Sequence, residues 1–416
     1  MTQAMPTDFA APELLRPDPL RRLRLLIVSH APHYQFENRL YAYGPYVREI
    51  DLWADLFREA VIAAPYQAAE PPGDYLPFRA SNISVAALTT AGGETLTAKI
   101  KLALAVPSLM AGLARAMRQA DAIHVRCPGN VGLLGAILAP LFSRRLVAKY
   151  AAHWGPAATD PWSSRFQKAV LRSSWWRGPV TVYGEWQNQP QHVVPFFTSL
   201  LSAEYLERAR VASGRPRGTS RLHVLYTGRI SRSKNVDVLL HAISRLRAAG
   251  RDIACTIIGE GPERLALTSL AAQLGLSDLV EFTGGVDFDS VINYLERADV
   301  LVLTSETEGW PKSIAEGMAF GLVCVGSNRG FVSQMLSEGR GVVVEPRDVE
   351  TLAAVLSGIA QEPEKYSEMC RRAADWAQQY SLDGLKQAIH ALLLKSWENS
   401  LQPQCMGSRF EPAEER

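Results

Sequence analysis

Two carboxylates, Glu308 and Glu316, stand on either side of a predicted helix start and are well placed to do chemistry. The sequence between them is Gly-Trp-Pro-Lys-Ser-Ile-Ala, and the apolar run 300–304 before them predicts a buried strand. Pro311 fits the first helical position, where its missing N–H group is not needed. Glu308 is therefore expected on the strand-to-helix loop and Glu316 inside the helix. For Glu308 a purely structural interpretation stays open, because carboxylates are favoured near the positive end of a helix dipole.

Two cations follow an earlier predicted strand, on the segment Tyr226-Thr-Gly-Arg-Ile-Ser-Arg-Ser-Lys-Asn235. Gly228 permits a tight exit from the strand, and Arg229 and Lys234 then place two positive charges on one loop. Fixed cations of this kind can neutralise the charge that develops on an anionic leaving group. The alternative is a pair of solvated surface charges.

Two glycine turns follow the next predicted strands. Gly259 and Gly261, in the sequence Gly-Glu-Gly-Pro, allow close approach of the backbone, although a tight turn before a helix would use the same residues. The second turn, Thr-Gly-Gly-Val, ends at Val286 and exposes backbone groups that could bind the edge of a base.

The sequence Asp287-Phe-Asp289 could hold a divalent ion on a diphosphate. However, Asp289 and Ser290 stand at the start of a helical pattern, where both residue types make good N-caps. We therefore predict no metal site and no metal cofactor.

Strands alternate with helices along the whole chain, which predicts parallel sheets covered on both faces. The strands are predicted at 23–29, 61–65, 83–88, 122–127, 145–150 and 180–183, and then at 222–227, 253–258, 279–283, 300–304, 322–326 and 341–345. Two such series make two domains facing a cleft, with ligands at the carboxyl ends of the strands. We place the first domain at 1–205, the second at 206–380, a helix that returns toward the first domain at 381–400, and a disordered tail at 401–416.

The composition is that of a folded, charge-balanced protein. The 416 residues are 47% hydrophobic and 21% charged, with a formal net charge of +2, which argues against a dedicated nucleic-acid-binding protein. The five cysteines have no metal-ligand spacing and suit a reducing compartment. No apolar run is long enough to cross a bilayer, and the first residues lack a signal-peptide pattern. We expect a cytoplasmic protein.

The motifs of the second half, in this order over about residues 222–346, resemble those of a known family. Gly-Arg…Lys-Asn, Gly-Glu-Gly-Pro and Glu-Gly-Trp-Pro…Glu-Gly-Met-Ala look like the donor-binding half of retaining GT-B glycosyltransferases of family 4. The resemblance implies a GT-B-like fold of two doubly wound, Rossmann-like domains. It also implies a nucleotide-diphosphate sugar as substrate and no cofactor.

The resemblance assigns a role to each of these residues. Arg229 and Lys234 would bind the diphosphate, and Glu316 would bind both ribose hydroxyls. The transferred sugar and its phosphate would meet Glu308 and the backbone of Gly309 and Trp310. The turns at Gly228, Gly259, Gly261 and Val286 would line the donor site, with Val286 next to the base.

The first half matches the family less well. Its first strand is followed by an aromatic-rich loop, Ser29–Pro45, with Gly44 in place of the family's Gly-Gly pair, so this loop could shape an acceptor site instead. His153 resembles in placement the family's histidine near the sugar, whereas His124 lies in an apolar strand and suits a core position. The segment 162–177 mixes four cations with four aromatic residues and is predicted either to contact a membrane or to pack as an ordinary amphipathic helix.

These expectations define one function and two rivals. The first is transfer of a sugar, from a UDP-sugar or from GDP-mannose, to a hydroxyl of a glycan or lipid-linked glycan in envelope or exopolysaccharide assembly. One rival is a nucleotide-sugar epimerase of the same fold. The other is a nucleotide-sugar-binding protein without catalytic activity.

Overall fold

Residues 18–89, 96–155, 161–215 and 221–401 are described by a computed structural model. The predicted tail 401–416 lies outside these residues except for Leu401. Residues 1–17 and 216–220, the latter at the predicted boundary between the domains, also lie outside them.

The first sheet, within the described residues, has ten strands in the order β10-β9-β8-β7-β1-β4-β2-β3-β5, and β6 also pairs with β4. The strands are β1 Arg24–Val28, β2 His33–Phe36, β3 Arg39–Tyr43, β4 Glu59–Gln67, β5 Tyr75–Pro77, β6 Ile83–Leu88, β7 Ala122–Cys127, β8 Leu146–Tyr150, β9 Val180–Tyr183 and β10 Val193–Phe196. The accompanying helices are α1 Gly44–Ala54, α2 Leu96–Met117, α3 Asn130–Leu138 and α4 Trp162–Arg172. Central strands such as β7 and β8 are buried along their whole length, as expected for parallel strands covered on both faces.

The segment Ser29–Pro45, predicted as a loop, instead contains an antiparallel hairpin. Strands β2 and β3 pair with each other, and Glu37 and Asn38 turn the chain between them with φ of 47° and 60°. Strand β2 also runs parallel to β4, and β3 pairs with β5. The hairpin, which we call the aromatic hairpin (residues 33–43), thus extends the first sheet.

The second sheet, within the described residues, has the order β13-β12-β11-β14-β15-β16, and each neighbouring pair of strands in it is parallel. This order is the doubly wound arrangement of a Rossmann domain. Its strands are β11 Leu222–Thr227, β12 Ile253–Ile258, β13 Val280–Gly284, β14 Val300–Leu303, β15 Val323–Ser327 and β16 Val342–Val344. The six predicted strands are confirmed to within one residue at each end.

Helices cover both faces of the second sheet. They are α5 Ala203–Ser213, α6 Val236–Ala248, α7 Arg264–Gln273, α8 Phe288–Arg297, α9 Lys312–Ala319, α10 Val332–Leu336, α11 Val349–Gln361 and α12 Ser367–Ala377. Two predicted helix starts were wrong. Pro311 is the N-cap of α9, not its first residue. Asp287 caps α8 by accepting a hydrogen bond from the Ser290 N–H, so Asp289 lies inside the first turn.

The last helix, α13 Leu382–Leu401, leaves the second domain and packs on the first. The indole N–H of Trp397 donates to the carbonyl of Leu146 at the start of β8, and Lys386 pairs with Asp55 at 2.8 Å. The chain therefore passes between the domains once after β10 and again before α13.

Candidate functional site

The loop after β11 holds Arg229 and Lys234 at the carboxyl edge of the second sheet. Gly228 leaves the strand with φ of 151°, a value that favours glycine. The hydroxyl of Tyr226 donates to the carbonyl of Arg229 at 3.0 Å and fixes the backbone there. The Arg229 side chain is exposed, so its charge is available at the cleft.

Glu308, on the loop after β14, forms an ion pair with Lys234. The Lys234 Nζ lies 2.5 Å from Glu308 Oε1, and the two side chains are only 23% and 11% exposed. Strands β11 and β14 are neighbours in the sheet, which is why loops 74 residues apart in sequence meet here. The structure thus brings together two of the predicted site residues.

Asn235, next to Lys234, fixes the shape of this loop. It adopts the left-handed conformation, with φ of 48° and ψ of 43°, which asparagine tolerates better than most residues. Its buried amide donates to the Thr304 carbonyl at 2.9 Å and to Glu306 at 2.8 Å, and its oxygen accepts from Arg347 at 3.1 Å. Asn235 is a positioning residue that sequence reasoning passed over.

The backbone of Glu308 and Gly309 is enclosed on both sides. A Cβ on Gly330, which has φ of 61°, would lie 1.9 Å from the carbonyl oxygen of Glu308. A Cβ on Gly309 would lie 3.0 Å from the Ala151 carbonyl oxygen of the other domain. Both glycines therefore permit contacts that hold Glu308 against Lys234.

Trp310 contributes its backbone to this loop, but its side chain belongs to the core. The indole is 8% exposed and stacks on Phe331 and Trp376, with ring centroids 5.3 Å and 6.0 Å away. Tyr380 packs edge-on against it at 5.3 Å. This cluster of aromatic rings packs against the Trp310 side chain and so holds the loop in position.

Glu316 lies in α9 with its side chain facing the cleft interior. It is 5% exposed, and its Oε1 has no hydrogen-bond partner among the described residues. Burial raises the pKa of Glu316 to about 8, although Lys312 and then Arg48 act in the opposite direction. Burial also lowers the pKa of Lys312 to about 8, opposed by Glu49 and Glu316. Lys312 was not singled out from the sequence.

The glycine turns after β12 and β13 pack the loops of the second sheet together. A Cβ on Gly259 would lie 1.9 Å from the Gly228 carbonyl oxygen, and one on Gly261 would lie 2.0 Å from that of Ile230. Gly259 and Gly261 thus position the Arg229 loop by close backbone packing. Val286 is half-buried against the core at the end of the neighbouring turn.

The first domain approaches this site through the loop after β8 and through the aromatic hairpin. Ala151 and Ala152 contact Gly309, and His153 follows them with its ring edge-on to Trp186 at 4.9 Å. From the hairpin, the pKa of Tyr43 is raised by burial, by Asp74 and by Glu316, and is lowered by Arg229. Tyr43, which is 45% exposed, therefore interacts electrostatically with both Arg229 and Glu316.

Comparisons with known proteins relate the second domain to a known family. Residues 214–376 match the model of the family described as Glycosyl transferases group 1. We therefore refer to the C-terminal domain, which contains this matched segment, as the group 1 domain. The D-inositol 3-phosphate glycosyltransferase of Arthrobacter sp. (strain FB24) is 30% identical over 185 residues, which are 43% of this chain and 44% of the relative. The chain thus matches less than half the length of that curated relative.

Solved structures extend the similarity to both domains. Sucrose-phosphate synthase from Thermosynechococcus elongatus aligns with a TM-score of 0.68 over 91% of this chain and 100% of its own, at 18% identity. Anabaena HepE in complex with UDP and glucose aligns with a TM-score of 0.64 over 89% of this chain and 99% of its own, at 16% identity. The predicted GT-B-like fold is confirmed.

Opposite the group 1 domain, the first domain contains a buried ion cluster that the sequence did not predict. Glu49 of α1 binds Arg126 at 2.6 Å and Lys149 at 2.8 Å. Burial acts to raise the pKa of Glu49, but Arg126 and Lys149 hold it well below its usual range. Burial lowers the pKa of Lys149 to about 8. We call Glu49, Arg126 and Lys149 the buried triad.

Three further observations concern metal binding, membrane spans and His124. In the described part of the chain, no group of three or more His, Cys, Asp or Glu side chains is arranged to hold a metal ion. None of the described helices is long and apolar enough to cross a membrane. His124, predicted to be a core histidine, is fully buried and stacks on Trp53 at 4.1 Å.

Proposed function

We propose that this protein is a retaining glycosyltransferase that moves a sugar from a nucleotide-diphosphate donor to a hydroxyl acceptor. The observation that carries the proposal is the grouping of Arg229 and the Lys234–Glu308 pair on the loops after two adjacent strands, with Glu316 in the helix that follows, in a domain that matches the group 1 family. UDP-sugars are the favoured donors and GDP-mannose is the next candidate. The UDP bound to Anabaena HepE supports this order.

The donor is held by charge and by paired hydrogen bonds. Arg229 and Lys234 bind the diphosphate, and the ammonium group of Lys234 has two further N–H donors beside the one that it gives to Glu308. A carboxylate can accept two hydrogen bonds, so Glu316 suits the two ribose hydroxyls. The carboxyl group is buried, and its Oε1 has no hydrogen-bond partner in the described chain. A ribose hydroxyl would supply that hydrogen bond.

The reaction exchanges two bonds at the anomeric carbon on one face of the sugar. The bond to the diphosphate oxygen breaks, the bond to the acceptor oxygen forms, and the departing phosphate takes the acceptor's proton. Arg229 and Lys234 stabilise the leaving diphosphate without a metal, and Glu308 keeps Lys234 in place. His153 lies on the loop that touches Gly309 and would border the transferred sugar.

The reaction is tested with UDP-, GDP- and ADP-sugars, each with and without glycoside and polyprenyl-linked sugar acceptors. Nucleoside diphosphate released only in the presence of acceptor, together with a glycoside of unchanged anomeric configuration, supports the proposal. An isomerised donor would show an epimerase instead. Binding of a donor, measured as a raised melting temperature, without any product would show a sensor.

The acceptor is proposed to be a membrane-held glycan, because the surface around α4 is basic and apolar. Trp162, Phe166 and Trp175 are 78%, 48% and 43% exposed, and Arg165 and Arg177 are exposed beside them. Residues 95–184 contain twelve Lys and Arg but only two Asp and Glu. Exposed aromatic rings with cations beside them suit the interface of an anionic bilayer. We therefore propose that the reaction takes place on the cytoplasmic side of such a membrane.

Co-sedimentation with vesicles tests this placement. The protein is expected to bind phosphatidylglycerol vesicles and not phosphatidylcholine vesicles, and a Trp162→Ser/Phe166→Ser variant is expected to lose binding. Leu265→Ser is the matched control, because Leu265 is 84% exposed but lies on the group 1 domain. Equal binding by wild type and the double variant would contradict a contact through 162–177.

A further inference from the structure

Arg48, in α1 of the first domain, reaches across the cleft to the group 1 domain. Its guanidinium carbon lies 4.4 Å from the centre of the Phe288 ring, which is a cation–π contact. Phe288 is the first residue of α8 and comes two residues after Val286, the predicted base contact. Arg48 therefore covers the end of the cleft where the nucleoside of the donor is expected.

Phe288 is held from its other side by the group 1 domain itself. Tyr205 of α5 packs edge-on against the Phe288 ring at 5.3 Å, and its hydroxyl donates to Asp289 at 2.8 Å. The Arg48 guanidinium also interacts with Tyr205 and Asp289. The ring thus has a fixed position under Arg48.

Arg48 is one of two cations that face the buried carboxyl of Glu316 among the described residues. The other is Lys312, one turn earlier in α9, and the hydroxyl of Tyr43 faces the same carboxyl from β3. Helices α5 and α12 also pack against α9. Their charged side chains form ion pairs away from Glu316, namely Arg208–Glu296, Arg210–Glu207, Arg371–Glu368, Arg371–Asp375 and Arg372–Glu368, while Glu204 of α5 is exposed.

The position of Arg48 is set by the residue that follows it. Glu49 belongs to the buried triad and is bound on one side by Arg126 and on the other by Lys149. Because α1 cannot turn about its axis without breaking these ion pairs, Arg48 is kept pointing at the group 1 domain.

We propose that Arg48 is a positioning and specificity residue for the nucleoside of the donor. It stacks on Phe288 and favours the ionised form of the Glu316 carboxyl, so that a residue of the first domain contributes to the proposed nucleoside site. The inference rests on the proposed donor site. A lysine would supply the charge but not the planar group that stacks on a ring.

The test compares two ligands, a nucleoside diphosphate (UDP or GDP, whichever stabilises the wild type more) and inorganic pyrophosphate. Arg48→Ala is expected to weaken binding of the nucleoside diphosphate about tenfold or more, as for loss of one charge-assisted contact. Binding of pyrophosphate should be unchanged, since it has no ribose or base. Arg48→Lys should recover part of the loss. Arg58→Ala, which removes an exposed cation just after α1, is the control and should bind both ligands like the wild type.

The pH profile separates positioning from a general loss of structure. In the wild type, affinity for the nucleoside diphosphate should rise between about pH 7 and 9 as Glu316 ionises, and in Arg48→Ala this rise should move to higher pH. Equal weakening of both ligands with an unmoved profile would overturn the inference. Wild-type affinity in Arg48→Ala would overturn it as well. A wild type that binds pyrophosphate but neither nucleotide would instead refute the proposed donor site.

Discussion

Each domain contains a Lys–Glu pair near the carboxyl edge of its sheet, and the two pairs differ in what surrounds them. In the group 1 domain, Lys234 and Glu308 are 23% and 11% exposed, and the nearby Arg229 is exposed to the cleft. In the first domain, Lys149 and Glu49 are both 5% exposed, and Arg126 binds the same carboxylate.

The difference separates a binding pair from a structural one. Burial of an ion pair has a large desolvation cost, which Glu49 offsets by accepting from two cations inside the core. The cleft pair keeps its cations within reach of an incoming anion. The same residue types thus stabilise the fold in one domain and form the proposed diphosphate site in the other.

The largest effect is expected when the structural pair is broken. Glu49→Gln leaves Arg126 and Lys149 buried without a counter-charge, so the free energy of unfolding should fall by roughly 3–5 kcal/mol, measured by urea denaturation. Glu59→Gln, which breaks the exposed pair of Glu59 with Arg24, should change it by less than about 1 kcal/mol. Similar values for the two variants would remove the distinction between the pairs.

Loss of the cleft pair, Lys234 and Glu308, should lower activity strongly and change stability little. Lys234→Ala is expected to lower turnover about 10²–10³-fold, the effect of removing one preorganised donor to a developing anion, with little change in the urea midpoint. Arg232→Ala removes an exposed cation from the same loop and should keep near wild-type turnover. Steady-state kinetics of both variants measure this difference in turnover. A Lys234→Ala variant with near wild-type turnover would refute the charge-neutralising role.

A smaller effect is expected from the backbone contact that holds Glu308. Gly330→Ala adds a Cβ 1.9 Å from the Glu308 carbonyl oxygen at a positive φ, whereas Gly250→Ala adds one at φ of 71° with nothing within 4 Å. Both substitutions place an alanine at a positive φ and so introduce backbone strain. The difference between their unfolding free energies therefore measures the steric clash of the Gly330→Ala side chain. We expect Gly330→Ala to be less stable than Gly250→Ala by about 1–3 kcal/mol and to have lower activity. Equal unfolding free energies would mean that the loop adapts.

The smallest effect concerns Glu316 and pH. Its pKa is raised to about 8 in the folded protein, so the folded state binds more protons than the unfolded state between about pH 4.5 and 8. Stability from this group is therefore lost as pH rises through that window. Glu316→Gln should therefore lose less stability than the wild type between pH 5 and 8, measured by urea denaturation at each pH. If the unfolding free energies of Glu316→Gln and the wild type changed with pH in the same way, this carboxyl would have an ordinary pKa.

The group 1 domain was largely predictable because its signals are local. Buried parallel strands such as β11 and β12 appear in the sequence as short apolar runs, and glycines such as Gly228 mark their ends. The motif order over 222–346 was enough to predict the fold. The roles of Arg229, Lys234, Glu308 and Glu316 stay predictions, although the first three lie on two adjacent loops and Glu316 lies in the helix that follows.

The first domain was less predictable because its signals depend on distant residues. The aromatic hairpin carries half-exposed side chains such as Tyr34 and Tyr41, so it lacks an apolar run, and its turn at Glu37 and Asn38 has no glycine. Glu49 looks like any surface acid in a helix until Arg126 and Lys149 arrive from strands 77 and 100 residues later. For the same reason the roles of Arg48 and Lys312 could not be found from spacing.

The two passages of the chain between the domains lie side by side and are bonded to each other. The hydroxyl of Ser199 donates to the carbonyl of Tyr380 at 2.9 Å, and the N–H of Leu382 donates to the carbonyl of Leu201 at 2.9 Å. A single linker would allow the domains to rotate and shift relative to each other, whereas two linkers joined by hydrogen bonds restrict this motion. We therefore expect the paired linkers to limit how far Arg48, Tyr43 and His153 can move relative to the group 1 domain.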